Sequence, residues 1–220
     1  MTDKSSQDTC RLVLITPPEL ADADTILARV TSALSGGDAA SLFVPRYEMT
    51  DEVYQATLEA VIPVAQAEET AVIGTGERRV PARVGADGIH LTGGASEIAR
   101  EIEQARDAMM MGASGGQTRH AALEVGEARP DYMFFGKFGG DTHPEAHPKL
   151  TELAGWWAEM VQIPAILLAG TSMESVDDAA STGVDFVAVS RAVFAHDADP
   201  EEAVRHANAI LRNYPLPGIE

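Results

Sequence analysis

The chain has 220 residues, 45% of them hydrophobic, and its 34 acidic against 16 basic side chains give a formal net charge of −18. Such a charge repels polyanions, so neither nucleic acid nor an anionic membrane is expected as a partner. No apolar stretch reaches the roughly 20 residues of a membrane helix, and the polar start MTDKSSQDTC lacks a signal-peptide core, so we expect a cytoplasmic protein.

Eight short apolar runs recur along the chain. They are RLVLIT (11–16), ASLFVP (40–45), TAVIG (70–74), DGIHL (87–91), AMMMGA (108–113), DYMFFGK (131–137), PAILLAG (164–170) and VDFVAVS (184–190). Runs of this kind are typical of strands buried on both faces, and each interval leaves room for one helix. The pattern predicts one α/β domain, a (β/α)₈ TIM barrel over residues 11–213, between a polar lead-in at 1–10 and a tail at 214–220.

The intervals carry helical patterns. The predicted helices are 21–34, 51–66, 77–84, 95–106, 118–128, 149–161, 173–182 and 200–212. Thr50 is a suitable N-cap for the second helix, which Pro63 should kink or divide. The connection from Gly136 to Pro148 is long and rich in glycine, which fits a lid over the site, although a loop of this length can also be merely mobile.

In such a barrel the chemistry lies at the loops after the carboxyl ends of the strands. Gly170 ends the seventh run and Thr171 follows it, while Ser190 ends the eighth run and Arg191 follows it. Small residues with free N–H groups and a nearby guanidinium are suited to a phosphate, so these loops form the predicted phosphate site. The alternative is that Gly170 and Ser190 only permit tight turns.

Two further strand ends carry candidate residues. Ser114 and the N–H groups of Gly115 and Gly116 could receive an anion, though glycines also serve simple turns. Lys137 ends an apolar run, where a partly desolvated ammonium could contact an anion or act as an acid or base, or form an ordinary salt bridge at the rim.

The histidines do not predict a metal site. His143 and His147 are four residues apart, but Pro144 and Pro148 make a regular helix there improbable, so the geometry of a helical zinc pair is not expected. His90 lies between apolar residues of a predicted strand and is interpreted as an interior histidine with its hydrogen bonds satisfied.

Five segments together resemble a known family. RLVLITPP, GADGIHL, PDYMFFGKF, IPAILLAG and TGVDFVAVSRAVF are similar, in order and spacing over residues 11–212, to thiamine phosphate synthase (thiamine-phosphate pyrophosphorylase) and the related thiazole tautomerase. The resemblance implies a (β/α)₈ barrel and a transferase of thiamine biosynthesis. Such an enzyme couples an aminopyrimidine diphosphate to a thiazole phosphate, releases diphosphate and requires Mg²⁺.

The chain departs from the family pattern at three strand ends. Arg46 is the only cation near the second strand, where the family has Gln-Leu-Arg-x-Lys. Thr75-Gly76 replaces an Asn-Asp pair after the third strand, and the segment 92–95, Thr-Gly-Gly-Ala, replaces Gly-Gln-x-Asp after the fourth. The usual Mg²⁺ carboxylates are therefore missing, and we predict no metal ligand.

The resemblance carries over better at the other strand ends. Ser114 matches the serine of the family's Gly-x-Ser-Thr-His motif, and Lys137 stands where the tautomerase has a histidine. The leading hypothesis is a thiamine phosphate synthase-like protein in which these two residues are catalytic. The residues predicted to hold substrate or phosphate are Arg46, Gly115, Gly116, Gly170, Thr171, Ser190 and Arg191.

Two alternatives follow from the missing carboxylates. One is a metal-independent isomerase of a thiazole phosphate with Lys137 as acid or base. The other is a non-catalytic binder of a phosphorylated thiamine precursor. In every case the partner is a small phosphorylated molecule, namely a thiazole phosphate, thiamine phosphate or a pyrimidine diphosphate, and homo-oligomer formation stays open.

Overall fold

The computed structural model describes residues 9–105, 108–114 and 116–216. Parallel strands close into a barrel in chain order, β1 to β8. Their bounds are β1 Arg11–Ile15, β2 Ser41–Val44, β3 Ala71–Thr75, β4 Gly88–Leu91, β5 Met110–Ser114, β6 Tyr132–Phe135, β7 Ala165–Leu168 and β8 Phe186–Val189. Each lies in or within one residue of a predicted apolar run, so the predicted barrel is confirmed.

Helices follow the strands and form the outer layer. They are α1 Ala23–Ser35, α2 Asp51–Ala67, α3 Arg79–Val84, α4 Ala95–Ala105, α5 Arg119–Gly126, α6 Pro148–Met160, α7 Glu174–Ala180, α8 Arg191–Phe194 and α9 Pro200–Leu211. The predicted helices are confirmed to within two residues at each end. The sequence did not predict α8, because four residues are too few to show a helical period.

Pro63 does not divide the second helix, so that half of the prediction is wrong, whereas the kink stays a prediction. Helix α2 runs unbroken from Asp51 to Ala67 with Pro63 inside it. Proline removes one backbone donor, but Pro63 lies on the exposed face, where water can reach the carbonyl that loses its partner. The buried residues Val61, Ile62 and Ala65 hold the helix against the barrel on either side of it.

Aspartates fix the register at the amino-terminal rim of the barrel. Asp87 Oδ2 accepts a hydrogen bond from the backbone N–H of Val72 at 2.7 Å, and Asp131 Oδ2 accepts one from Met111 at 2.6 Å. Asp185 repeats the contact with Ala165 at 2.7 Å. Each carboxylate precedes an even-numbered strand and binds the start of the strand before it, so neighbouring strands are joined in pairs at this end.

Two apolar layers form the core. One lies between the sheet and the helices, and the other fills the barrel interior with Val13, Ile15, Phe43, Ile73, Tyr132, Phe134, Ile166, Leu168 and Ala188. Glycine makes room for the largest of the interior side chains: a Cβ atom on Gly112 would lie 1.8 Å from Tyr132 Cζ. The Tyr132 ring therefore lies across the β5 backbone, inside the barrel.

The residues flanking the barrel meet below its amino-terminal face. Cys10 donates its backbone N–H to Tyr214 at 2.9 Å, and Thr9 forms an antiparallel bridge with Pro215. The division into lead-in, barrel and tail stays a prediction. Within the described residues, no helix combines the length and apolar character needed to cross a bilayer.

Candidate active site at the barrel mouth

A polar chain of three side chains crosses the interior just below the mouth. The His90 Nε2 atom lies 2.8 Å from Ser114 Oγ, and Nδ1 lies 3.3 Å from the Tyr132 hydroxyl. The sheet register brings them together, because β4 pairs His90 with Gly112 and β6 pairs Tyr132 with the same glycine. The interpretation of His90 as a satisfied interior histidine is confirmed, and its link to the predicted catalytic Ser114 is an addition.

His90 is held neutral. It is only 1% exposed, and burial lowers its pKa to about 3. A histidine of that pKa is too weak a base to turn Ser114 into a nucleophile at neutral pH. If Nδ1 accepts from the Tyr132 hydroxyl, Nε2 donates to Ser114, and the serine proton is free to bind a ligand oxygen. This tautomer makes Ser114 an oriented hydrogen-bond donor.

Acid should destabilise the fold through His90. The unfolded chain takes up a proton near the ordinary pKa of 6.5, whereas folded His90 stays neutral down to about pH 3. The free energy of unfolding should therefore fall, as the pH drops through that window, by about 1.4 kcal/mol per pH unit. Chemical denaturation between about pH 4 and pH 7 would measure it. His90→Gln should flatten this part of the profile and the exposed His120→Gln should not; equal slopes in both variants would contradict the assignment.

An aromatic side chain from the long loop covers this polar chain. Phe138 contacts the His90 ring edge-on, with centroids 5.1 Å apart, and stacks on Phe134 at the same separation. Phe43 completes the group, 6.1 Å from Phe138 and 5.9 Å from His90. The loop between β6 and α6 thus reaches over the mouth, as expected of a lid; its closure stays a prediction.

The predicted phosphate turn after β7 is occupied by that same loop. Thr171 donates its N–H to the carbonyl of His143 at 2.9 Å, and Gly170 donates its own to Ser175 Oγ at 2.9 Å. A Cβ atom on Gly170 would lie 2.1 Å from the Pro144 carbonyl oxygen. Glycine is therefore required here by the close approach of the loop backbone.

After β8, Arg191 is held by two carboxylates. Its backbone N–H donates to Asp141 Oδ2 at 2.7 Å, and its Nη1 donates to Asp141 Oδ1 at 2.8 Å. Glu19 Oε1 accepts from Nη2 at 2.6 Å. Burial raises the pKa of the Asp141 carboxyl above its ordinary value. Ser190 Oγ, by contrast, is buried and has no hydrogen-bond partner among the described residues.

Lys137 lines a cavity of about 580 Å³ between the long loop and the start of α6. The lysines of the chain are Lys4, Lys137 and Lys149, and both of those that the structure describes line this cavity. Within the described residues neither ammonium has an ion-pair partner. His143 and His147 also line it. Of its two carboxylates, Asp141 is already bonded to Arg191, so the cavity favours an anion.

The remaining predicted residues lie apart from this group. Arg46 donates from Nε to the Met49 carbonyl at 3.1 Å and pairs with Asp51 at 3.0 Å, so its guanidinium is already engaged. Gly116 has a left-handed backbone, φ 63°, in the turn before α5. Gly115 lies outside the described residues.

Several functional candidates were missed by the sequence reasoning. These are Phe138 over the mouth, Asp141 on Arg191 and Lys149 in the cavity. The long loop was identified, but its glycine-rich sequence carries no periodic signal for which side chains turn inward. Lys149 lies in the first turn of a helix. Lysines on helices are ordinarily exposed surface residues, so nothing in the sequence indicated that this one lines a cavity.

The residues at the third and fourth strand ends do not fit a resident Mg²⁺ ion. Mg²⁺ prefers carboxylate oxygens, and Thr75 at the end of β3 instead accepts a hydrogen bond from the Arg46 N–H at 2.9 Å. Among the described residues no group of three or more His, Cys, Asp or Glu side chains could hold a metal ion.

Known proteins of similar sequence and fold agree with this architecture. The family profile described as thiamine monophosphate synthase matches residues 12–193. The thiamine-phosphate synthase of Rhodospirillum centenum is 33% identical over 207 residues, covering 92% of this chain and 98% of that protein. The Hyphomonas neptunium thiamine-phosphate synthase is 31% identical over 220 residues, covering 97% and 99%.

The fold has a close match among solved structures. Thiamine phosphate pyrophosphorylase from Pyrococcus furiosus superposes with a TM-score of 0.78 at 22% identity, covering 95% of this chain and 98% of that one. At that identity the match supports the fold alone, whereas the profile and the bacterial relatives extend over nearly the whole sequence. The chain therefore belongs to the thiamine monophosphate synthase family.

Proposed function

We propose that this chain is a divergent thiamine phosphate synthase. In the reaction, the bond between the pyrimidine methylene carbon and the diphosphate oxygen breaks, and its electron pair leaves with diphosphate. The lone pair of the thiazole nitrogen then forms a new C–N bond to that carbon. No proton is lost, so the demand on the protein is to stabilise the leaving anion.

The observation that carries the proposal is the lysine cavity. Lys137 and Lys149 both line it, and neither has an ion-pair partner among the described residues. In a chain of net charge −18, two such ammonium groups mark a local positive region. They would offset charge on the departing diphosphate, a task for which the chain offers no cluster of metal-binding side chains in its described part.

The other candidates divide between the two substrates. Ser114 would donate its hydroxyl proton to an oxygen on the diphosphate or pyrimidine side, oriented by neutral His90. The thiazole phosphate would bind at the turns after β7 and β8, through Gly170, Thr171, Ser190 and Arg191. The buried, unbonded Ser190 Oγ supports a ligand oxygen there. Arg46, Gly115 and Gly116 stay weaker candidates, since Arg46 is paired with Asp51.

The assay is formation of thiamine phosphate from the two substrates, with and without added Mg²⁺, against a no-enzyme control. Lys137 is exposed, which contradicts the expected partial desolvation of its ammonium group, so water screens its charge. Lys137→Ala should therefore lower kcat/KM by about tenfold, because the leaving anion loses one nearby positive charge. Lys137→Arg keeps the charge and should retain much of the rate. No product above the control would refute the synthase, and a full rate in Lys137→Ala would refute the role of the lysine.

The same pair of variants tests the isomerase alternative, which the unpaired Lys137 ammonium also supports. An acid or base at this position must exchange a proton near neutral pH, and a guanidinium does not do so. Isomerisation of the thiazole phosphate alone, lost in both Lys137→Ala and Lys137→Arg, would favour the isomerase. Binding of the phosphates without any turnover would favour a non-catalytic binder.

The partner is a small phosphorylated precursor under each of these proposals. We also infer that the chain acts in the cytoplasm, where such precursors would be met. The charge distribution supports this ligand class, since a cavity lined by two lysines within an acidic protein admits a small anion more readily than a polyanion.

A further inference from the structure

One loop segment lies across two different parts of the candidate site. This closing segment comprises residues 138–145, between β6 and α6. Its first residue, Phe138, lies among Phe43, His90 and Phe134, with ring centroids 5.1 to 6.1 Å away. A flat ligand ring that stacked on His90 or Phe134 from the mouth would need the volume that Phe138 fills.

Three residues further on, the segment supplies an anion. The Asp141 carboxylate is fully buried, and its two oxygens separately accept the backbone N–H and the Nη1 donor of Arg191. A phosphate at the end of β8 would use the same two donors, one on the backbone and one on the guanidinium. The chain thus provides its own carboxylate where the sequence predicts the phosphate of a ligand.

The rest of the segment uses the donors after β7. His143 and Pro144 accept the N–H groups of Thr171 and Ser172 through their carbonyls, at 2.9 and 3.2 Å. The Pro144 carbonyl also lies where a side chain on residue 170 would begin. With the segment in this position, Thr171 and Ser172 have no backbone donor left for a ligand.

We propose that the closing segment is a built-in competitor, in which Phe138 fills the ring subsite and Asp141 the phosphate subsite, so that a ligand bearing a ring and a phosphate binds only when the segment moves out. The identity of that ligand rests on the proposed function. In this structure the segment occupies both subsites. Because only molecules with the segment moved out can bind a phosphate, the apparent affinity falls in proportion to the fraction of such open molecules.

The construction of the segment suits such an exchange. Gly139, with a left-handed φ of 71°, and the adjacent Gly140 lie between Phe138 and Asp141 and can absorb a large backbone rotation. The residues from Thr142 to Glu145 are exposed, so only the half-buried Phe138 ring and the buried Asp141 carboxylate must leave packed positions. A phosphate that replaced the carboxylate would restore the hydrogen bonds of Arg191 and carry more charge.

Calorimetry with inorganic phosphate and with thiamine phosphate tests the proposal. Asp141→Ala removes the competing carboxylate and should tighten phosphate binding by about tenfold. Asp141→Asn keeps a side-chain acceptor in place and should tighten it less. Glu159→Ala removes the same charge from an exposed side chain of α6 that does not line the cavity, and its affinity should stay within about twofold of the parent.

The ranking of phosphate affinities among the parent and the variants decides whether the proposal holds. Phosphate binding by Asp141→Ala that is no tighter than in the parent overturns the proposal. Equal tightening in Glu159→Ala also overturns it, since that would reflect the net charge of the protein. If Asp141→Ala does not fold, hydrogen exchange of the parent decides: saturating phosphate should speed exchange in residues 138–145, and unchanged or slower exchange overturns the proposal. If the parent forms thiamine phosphate but the variants do not show the expected ranking of phosphate affinities, only this inference is refuted. If the affinities follow the expected ranking but no thiamine phosphate forms, only the proposed synthase activity is refuted.

Discussion

Replacing Ser114 by alanine is expected to lower the rate of thiamine phosphate formation by about 10²- to 10³-fold. Neutral His90, 2.8 Å away, orients the Ser114 hydroxyl. The hydroxyl would therefore donate to the developing anion without having to reorient in the transition state. The loss should fall on kcat more than on KM, because the interaction strengthens only as charge develops. Steady-state kinetics with both substrates would measure it.

The control for this variant is a serine outside the mouth. Ser181 lies just after α7, is exposed and donates its hydroxyl to the Asp178 carbonyl. Ser181→Ala should therefore keep the parental rate, and Ser114→Thr, which retains a hydroxyl, should recover part of the loss. A rate in Ser114→Ala within about threefold of the parent would remove Ser114 from the proposed chemistry.

A methyl group on Gly112 should cost more stability than any surface change in the chain. Its Cβ would lie 1.8 Å from Tyr132 Cζ and 2.2 Å from both neighbouring ring carbons, so the ring must move within a packed barrel. Overpacking of this kind costs about 3 kcal/mol or more in free energy of unfolding. Denaturant titration of Gly112→Ala would measure the loss.

The displaced ring would also carry the Tyr132 hydroxyl away from His90, which it approaches to 3.3 Å. Gly94→Ala is the matched control, because nothing lies within 4 Å of its Cβ position and its φ is not left-handed. Gly94 lies at the start of α4, where alanine caps the helix less well than glycine, so we expect a loss of at most about 1 kcal/mol. If the two alanine variants were equally stable, the inward position of Tyr132 would be wrong.

The sequence predicts the barrel well because parallel strands buried on both faces leave continuous apolar runs. AILL and FVAV, for example, are recognisable without their neighbours. The short helix α8 and the uninterrupted α2 depend on packing, which a local pattern does not contain. Pro63 breaks the helical pattern in sequence, yet its exposed position allows α2 to continue.

The candidate site is less accessible to sequence reasoning. Arg191 is at a strand end, as predicted, but its partner Glu19 is 172 positions away and Asp141 is 50 positions away. No spacing rule connects them, so the sequence indicated a free cation where the structure has a network. The contact between His90 and Ser114 could have been predicted from the sequence. Side chains alternate between the two faces of a strand, which places both residues on the interior face of the neighbouring strands β4 and β5.

The bridge between Thr9 and Pro215 has a practical meaning for how this protein can be handled. Both residues lie beyond the amino-terminal face of the barrel, on the side opposite the mouth. If the protein were attached to a surface at Thr9 or at Leu216, the amino-terminal face of the barrel would therefore lie against that surface. The loops at the mouth would then face the solution. Immobilised sensors and circularly permuted chains can both use this face as their point of anchorage.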